Sequence, residues 1–124
     1  MMKATIISLL FLIFSGENIN IKEFSSSFSY ENKLENEIID AIKSDDYDYF
    51  ISSFSEGKLD VNQSINGKTL LIYASILNKP EMINLLISQG AFFSSECDDG
   101  YTAMDHAIKN NSIKAIAELI VISA

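Results

Sequence analysis

Thr69-Leu70-Leu71-Ile72-Tyr73-Ala74 and Thr102-Ala103-Met104-Asp105-His106-Ala107 lie 33 residues apart, and this spacing decides the fold. Further residues fall into the same register. Gly67 pairs with Gly100, and Thr69 with Thr102. Ala41, Ala74 and Ala107 form a series, as do Ile38, Leu71 and Met104. Asp45, Asn78 and Asn111 form another, followed by Phe50, Ile83, Ile116 and by Phe54, Ile87, Ile120. A fixed period of this length is the mark of stacked supersecondary units, each unable to bury its apolar face alone.

Each unit has the same local chemistry. A Gly-Lys-Thr or Gly-Tyr-Thr turn opens a short helix, Thr69 to Leu77 or Thr102 to Lys109. Threonine serves as N-cap because its hydroxyl accepts a backbone N–H of the first turn. The recurring alanine marks a close approach of two helices. Asn78 or Asn111 closes the turn, since asparagine tolerates left-handed backbone. A second helix follows, from Pro80 to Ser88 and from Ser112 onward. Pro80 fits the first helical position, where no N–H is needed, and Gly90 fits the C-terminal cap.

On these residues the chain resembles the ankyrin-repeat family, whose signature is Thr-Pro-Leu-His-x-Ala on a 33-residue period. Both hexapeptides match at the threonine, the middle apolar position and the alanine. They depart from it at the proline and at the histidine, which is Ile72 or Asp105 here. Leu85-Leu86-Ile87-Ser88-Gln89-Gly90-Ala91 resembles the family's closing segment, and Leu59-Asp60-Val61-Asn62 its loop. The resemblance covers residues 34–124 and implies an all-α solenoid of about 2.5–3 helix-turn-helix repeats. The units run over about 34–66, 67–99 and 100–124, with five or six short helices in all. The outer units are degenerate, as expected where a repeat has one neighbour and a wet outer face. Asp40, Asp45, Asp46 and Asp48 fit a polar cap on the first. The tail Leu119-Ile120-Val121-Ile122 fits inward packing, the alternative being a dimer contact.

Upstream, Met1-Met2-Lys3 is followed by eleven largely apolar residues, Ala4 to Phe14, and by small Ser15 and Gly16. This order is that of a secretory signal peptide, and it is shorter than the roughly 20 residues of a membrane span. An uncleaved interfacial helix or a buried N-terminal element is the alternative. Residues 1–16 are therefore expected to be an export signal, cleavage after Ser15 fitting best, with no membrane span after its removal. Residues 17–33 read as a flexible polar lead-in. The expected location is periplasmic or secreted.

Composition narrows the function. The chain of 124 residues has nine lysines, no arginine and seventeen acids, a formal charge of −8. Without arginine or a basic patch, nucleic acid is a poor partner. An acidic surface suits a basic protein instead. Cys97 and His106 are each unique, so there is no intramolecular disulfide and no multi-cysteine metal site. In the repeat register Cys97 falls in a loop and His106 beside core Ala107, with no orienting acid or oxyanion motif. Both read as structural. Asp45-Asp46-Tyr47-Asp48-Tyr49 lacks the glycine of a calcium loop, and Asp98-Asp99-Gly100 reads as a turn. No catalytic, cofactor or metal residues are assigned, and the chain reads as non-enzymatic.

The resemblance implies a protein-binding surface on the loop tips and on the exposed face of each first helix. Carried over, this gives Ile65, Asn66, Lys68, Ile76 and Leu77 in the middle unit. In the last it gives Asp98, Asp99, Tyr101, Lys109 and Asn110, and in the first Lys43 and Ser44. Ile76 and Leu77 could equally pack between repeats. A small, acidic, exported binder, monomeric in a 1:1 complex, fits an immunity protein or inhibitor acting on a toxin or effector. A host-directed effector and an accessory protein for a periplasmic stress enzyme are the alternatives.

Overall fold

The structure, a computed structural model, describes residues 21–124. The expected export signal lies outside the described residues. The chain divides into two units, residues 1–38 and 39–124. The first contributes most of one 23-residue helix, α1 (Ile21–Lys43), whose last turn lies in the second. The flexible lead-in expected through residue 33 is corrected here: Ile21–Lys33 are helical. No glycine or proline interrupts this serine-rich stretch, and serine is only moderately unfavourable inside a helix. Polar composition masked a continuous helix.

The second unit continues with α2 (Tyr47–Ser55), a two-stranded antiparallel ribbon of β1 (Ser64–Ile65) and β2 (Lys68–Thr69), and α3 (Leu70–Ile76). Then come α4 (Pro80–Ser88), α5 (Ala103–Lys109) and α6 (Ile113–Ser123). The first helices α3 and α5 pack on one another, and so do the second helices α4 and α6. Within a unit, α3 packs on α4 and α5 on α6. This is the stacked helix-pair architecture that the 33-residue period predicts.

Local chemistry explains the boundaries. Thr69 Oγ1 accepts the Ile72 N–H at 3.2 Å, and Thr102 Oγ1 accepts the Asp105 N–H at 3.3 Å. The latter is reciprocated, the Thr102 N–H donating to Asp105 Oδ2 at 2.9 Å, which completes a capping box. Asp45, Asn78 and Asn111 all have left-handed backbone, with φ of 55°, 58° and 54°. Ala41, Ala74 and Ala107 are buried where helices meet. Phe50, Ile83, Leu86, Ala115 and Leu119 are buried deepest in the second-helix layer.

Side chains at the turns stitch successive units together. Ala115 donates its N–H to Asn78 Oδ1 at 2.9 Å, so the N-terminus of α6 is capped by the preceding unit. Ser112 Oγ donates to the Ile76 carbonyl at 3.0 Å. One unit earlier, Lys79 Nζ reaches Asp45 Oδ2 at 3.4 Å. Asn62 spans another junction, donating to the Gly90 carbonyl at 3.1 Å and accepting the Phe92 N–H at 2.9 Å.

The apolar tail departs from the inward packing expected of it. Leu119 is fully buried, but Ile120 and Val121 are 54% and 69% exposed. A helix end with packing on one side covers one stripe, and residues 120 and 121 fall outside it.

Candidate protein-interaction surface

The loop tips and first helices of the middle and last units bring most of the expected binding residues to one region. β1 and β2 pair Ser64 with Thr69 and Ile65 with Lys68, leaving Asn66-Gly67 as the two-residue turn. Both residues have positive φ, 51° and 79°, which is the geometry of a primed hairpin turn. The Asn-Gly pair was the available signal for this hairpin. The neighbouring loop is tied to it, the Asp98 N–H donating to the Gly67 carbonyl at 3.0 Å. A side chain at Gly67 would collide with the Asp98 carboxylate, so the two tips approach as closely as glycine allows. The second loop closes on itself by Cys97 N–H to the Tyr101 carbonyl, 2.8 Å, and Gly100 N–H to the Cys97 carbonyl, 2.9 Å.

The expected surface residues separate clearly. Asn66, Asp98, Asp99, Tyr101, Lys109 and Asn110 are exposed, as are Lys43 and Ser44. Lys68 is half-buried, and so are Ile76 and Leu77, which contribute edges rather than a free apolar face. Ile65 is a correction: it is fully buried, and its carbonyl accepts the Tyr73 hydroxyl at 2.7 Å. Successive strand residues point to opposite faces, so in this ribbon exposed Ser64 leaves Ile65 turned inward.

A shallow depression lies beside the second tip, lined by Tyr101, Asp105, His106, Ile108 and Lys109. Asp105, His106 and Ile108 were not among the expected binding residues. The Tyr101 ring meets the His106 ring edge-on at 6.1 Å, and Lys109 Nζ lies 5.9 Å from the Tyr101 centroid. Tyr101 is thus held between an imidazole and a cation while half its surface faces outward. Asp105 is engaged by Thr102, whose backbone N–H and hydroxyl lower its pKa.

His106 is buried, and its Nε2 has no hydrogen-bond partner. Burial foremost lowers its pKa below the ordinary 6.5, with nearby Lys68 and Lys109 adding to the shift against Asp105 and Asp99. Unfolding releases this imidazole to its ordinary value. Stability from keeping it neutral is therefore complete above pH 6.5 and declines as pH falls below it. Urea titrations at about pH 7.5 and about pH 5.5 should show this loss, largely removed in His106→Gln. An equal loss in the variant would assign the effect to other groups.

Cys97 is a buried free thiol in the inter-repeat loop. Among the described residues, no helix is long and apolar enough to cross a membrane.

Helix pairs stacked at a 33-residue interval, with the tips of two successive units joined by the Asp98-to-Gly67 hydrogen bond, define a repeat scaffold. The profile described as ankyrin repeats (3 copies) matches residues 38–123, and the chain belongs to the ankyrin-repeat family. Ankyrin repeats are protein-interaction modules. The chain is also 31% identical over 94 residues to M-phase phosphoprotein 8 of Mus musculus, a match covering 73% of this chain and 11% of that protein.

Proposed function

We propose that this chain is an exported, non-catalytic binding protein that engages one basic protein partner through its loop tips. The observation that carries this reading is the joined pair of tips. Exposed Asp98 and Asp99 stand beside half-exposed Tyr101, on loops fixed by the Asp98-to-Gly67 hydrogen bond. Tyrosine supplies rigid contact area at low entropic cost, and surrounding carboxylates steer a cationic partner. A formal charge of −8 strengthens that steering. Export rests on the Met1-Met2-Lys3 start, the apolar run Ala4 to Phe14 and small Ser15-Gly16.

The particular role proposed is inhibition, the chain acting as an immunity protein that occupies a toxin or secreted effector stoichiometrically. Mixing the mature chain with a toxin encoded beside it should abolish toxin activity at one chain per toxin. Tyr101→Ala should weaken the complex by about 2 kcal/mol, near thirtyfold. Asp98→Lys with Asp99→Lys should chiefly slow association and reduce its salt dependence. Undiminished toxin activity at saturating chain would refute the inhibitory role. Fractionation that finds only the uncleaved chain in the cytosol would refute export.

A further inference from the structure

We propose that the second loop tip is held down by a histidine latch: when His106 gains a proton, loop 97–101 lifts from α5 while the stacked helix pairs stay folded. The repeat symmetry points to it. In the middle unit the residue 33 positions earlier is Tyr73, whose hydroxyl donates to the Ile65 carbonyl at 2.7 Å. That bond ties the first helix of the unit to its own hairpin tip. In the last unit the same position carries the chain's one histidine, and the counterpart of Ile65 is Asp98. No equivalent bond forms there. His106 is 8% exposed, and its Nε2 has no partner. The tie of the middle unit is replaced by a covered, titratable ring.

Tyr101, on the loop, supplies the cover. Its ring meets the imidazole edge-on, the centroids 6.1 Å apart, with Lys109 Nζ 5.9 Å from the Tyr101 centroid. A neutral imidazole fits this place as one ring against another. An imidazolium does not, because both its nitrogens donate and need acceptors or water. The surrounding charges do not meet that need. Lys68 from the ribbon and Lys109 from α5 oppose a positive ring, whereas Asp105 and Asp99 favour it less strongly. Asp105 Oδ2 already accepts the Thr102 N–H and hydroxyl, at 2.9 and 3.0 Å. α3 brings no charged residue. α6 brings Lys114 and Glu118, the latter engaged by Asn84.

The loop gives way before the helices do. Of residues 97–101 only Cys97 is buried. The loop is held by the Asp98 N–H on the Gly67 carbonyl and by its two internal bonds, Cys97 to Tyr101 and Gly100 to Cys97. α5, by contrast, buries Ala103 and Ala107 and packs on both α3 and α6. Lifting the loop therefore frees the ring at less cost than unfolding the pairs. Burial foremost, then Lys68 and Lys109, holds the closed imidazole below its ordinary 6.5, a value it regains once uncovered. Opening thus becomes more favourable as pH falls below 6.5, by up to about tenfold per unit.

The latch goes beyond the proposed binding role and is read in the free chain, so either can fail alone. Hydrogen exchange of the full chain, followed by NMR, tests it at the amides of Cys97, Asp98 and Gly100, which are bonded in the closed loop. Their protection should fall about three- to tenfold between about pH 7.5 and about pH 5.5. At both values it should lie at least about a hundredfold below that of Ile83 and Leu86 in α4, because the loop opens alone. In His106→Gln the fall should vanish, and His106→Tyr, which copies the middle unit, should behave likewise. The imidazole's own resonance, unique in this chain, should titrate below 6.5. Loop protection that does not change with pH overturns the proposal, as does a fall that persists in both variants. Loop protection equal to that of Ile83 and Leu86 overturns it too, since the loop would then open only with the whole domain.

Discussion

Leu86→Ala is expected to destabilise the repeat domain by about 3 kcal/mol. Leu86 is fully buried in α4, the second helix of the middle unit. Truncation removes three carbon atoms and leaves a hole whose walls relax only partly. Position adds to the effect. α4 packs on α3 within its unit and on α6 in the next, so a defect there weakens the pairing within its own unit and with the next. A domain of this size has a stability of about 5–10 kcal/mol, so the loss is a large share of it. Thermal unfolding followed by circular dichroism should show a midpoint lower by about 12–24 °C. Phe92→Ala, at a residue 66% exposed, should change stability by less than about 0.5 kcal/mol. Equal shifts for the two variants would mean that α4 does not carry the core.

Asn78→Ala should cost about 2–3 kcal/mol through two separable effects. The backbone at residue 78 has φ of 58°, and alanine there meets a steric penalty of about 1–2 kcal/mol. The side chain also accepts the Ala115 N–H, and a lost helix cap is worth about 1 kcal/mol. Asn78→Gly removes the cap and keeps the backbone relaxed, so it should cost only about 1 kcal/mol. Asn78→Asp keeps both the acceptor and a tolerable left-handed backbone. It should remain near the unsubstituted chain, with a favourable negative charge at the N-terminus of α6. Urea midpoints should therefore rank aspartate first, glycine next and alanine last. Equal midpoints for glycine and alanine would show that backbone strain contributes nothing at this turn.

The candidate surface was legible to the extent that it depended on loop chemistry. Asp98, Asp99, Asn66 and Tyr101 lie at turns and are exposed, as expected of polar or turn-forming residues between helices. Ile65 was misplaced because strand alternation, rather than membership of a loop tip, decides which way its side chain points. Asp105, His106 and Ile108 went unnoticed as lining residues because their meeting with Tyr101 and Lys109 depends on how the second loop folds back on α5.

Sequence alone determined the repeat: the 33-residue spacing, threonine caps before α3 and α5, Pro80 opening α4, and left-handed asparagines at 78 and 111. Each of these is local, set by backbone sterics or by a hydrogen bond spanning three or four residues. Tertiary structure decided which apolar side chains are covered. Ile83 and Ile120 look alike in sequence, yet the first is fully buried and the second 54% exposed. Burial depends on what packs alongside, and so does the bond from Ala115 to Asn78, which joins residues 37 positions apart. The period shows that units stack, whereas only the tertiary structure shows which helix of one unit packs on which helix of the next.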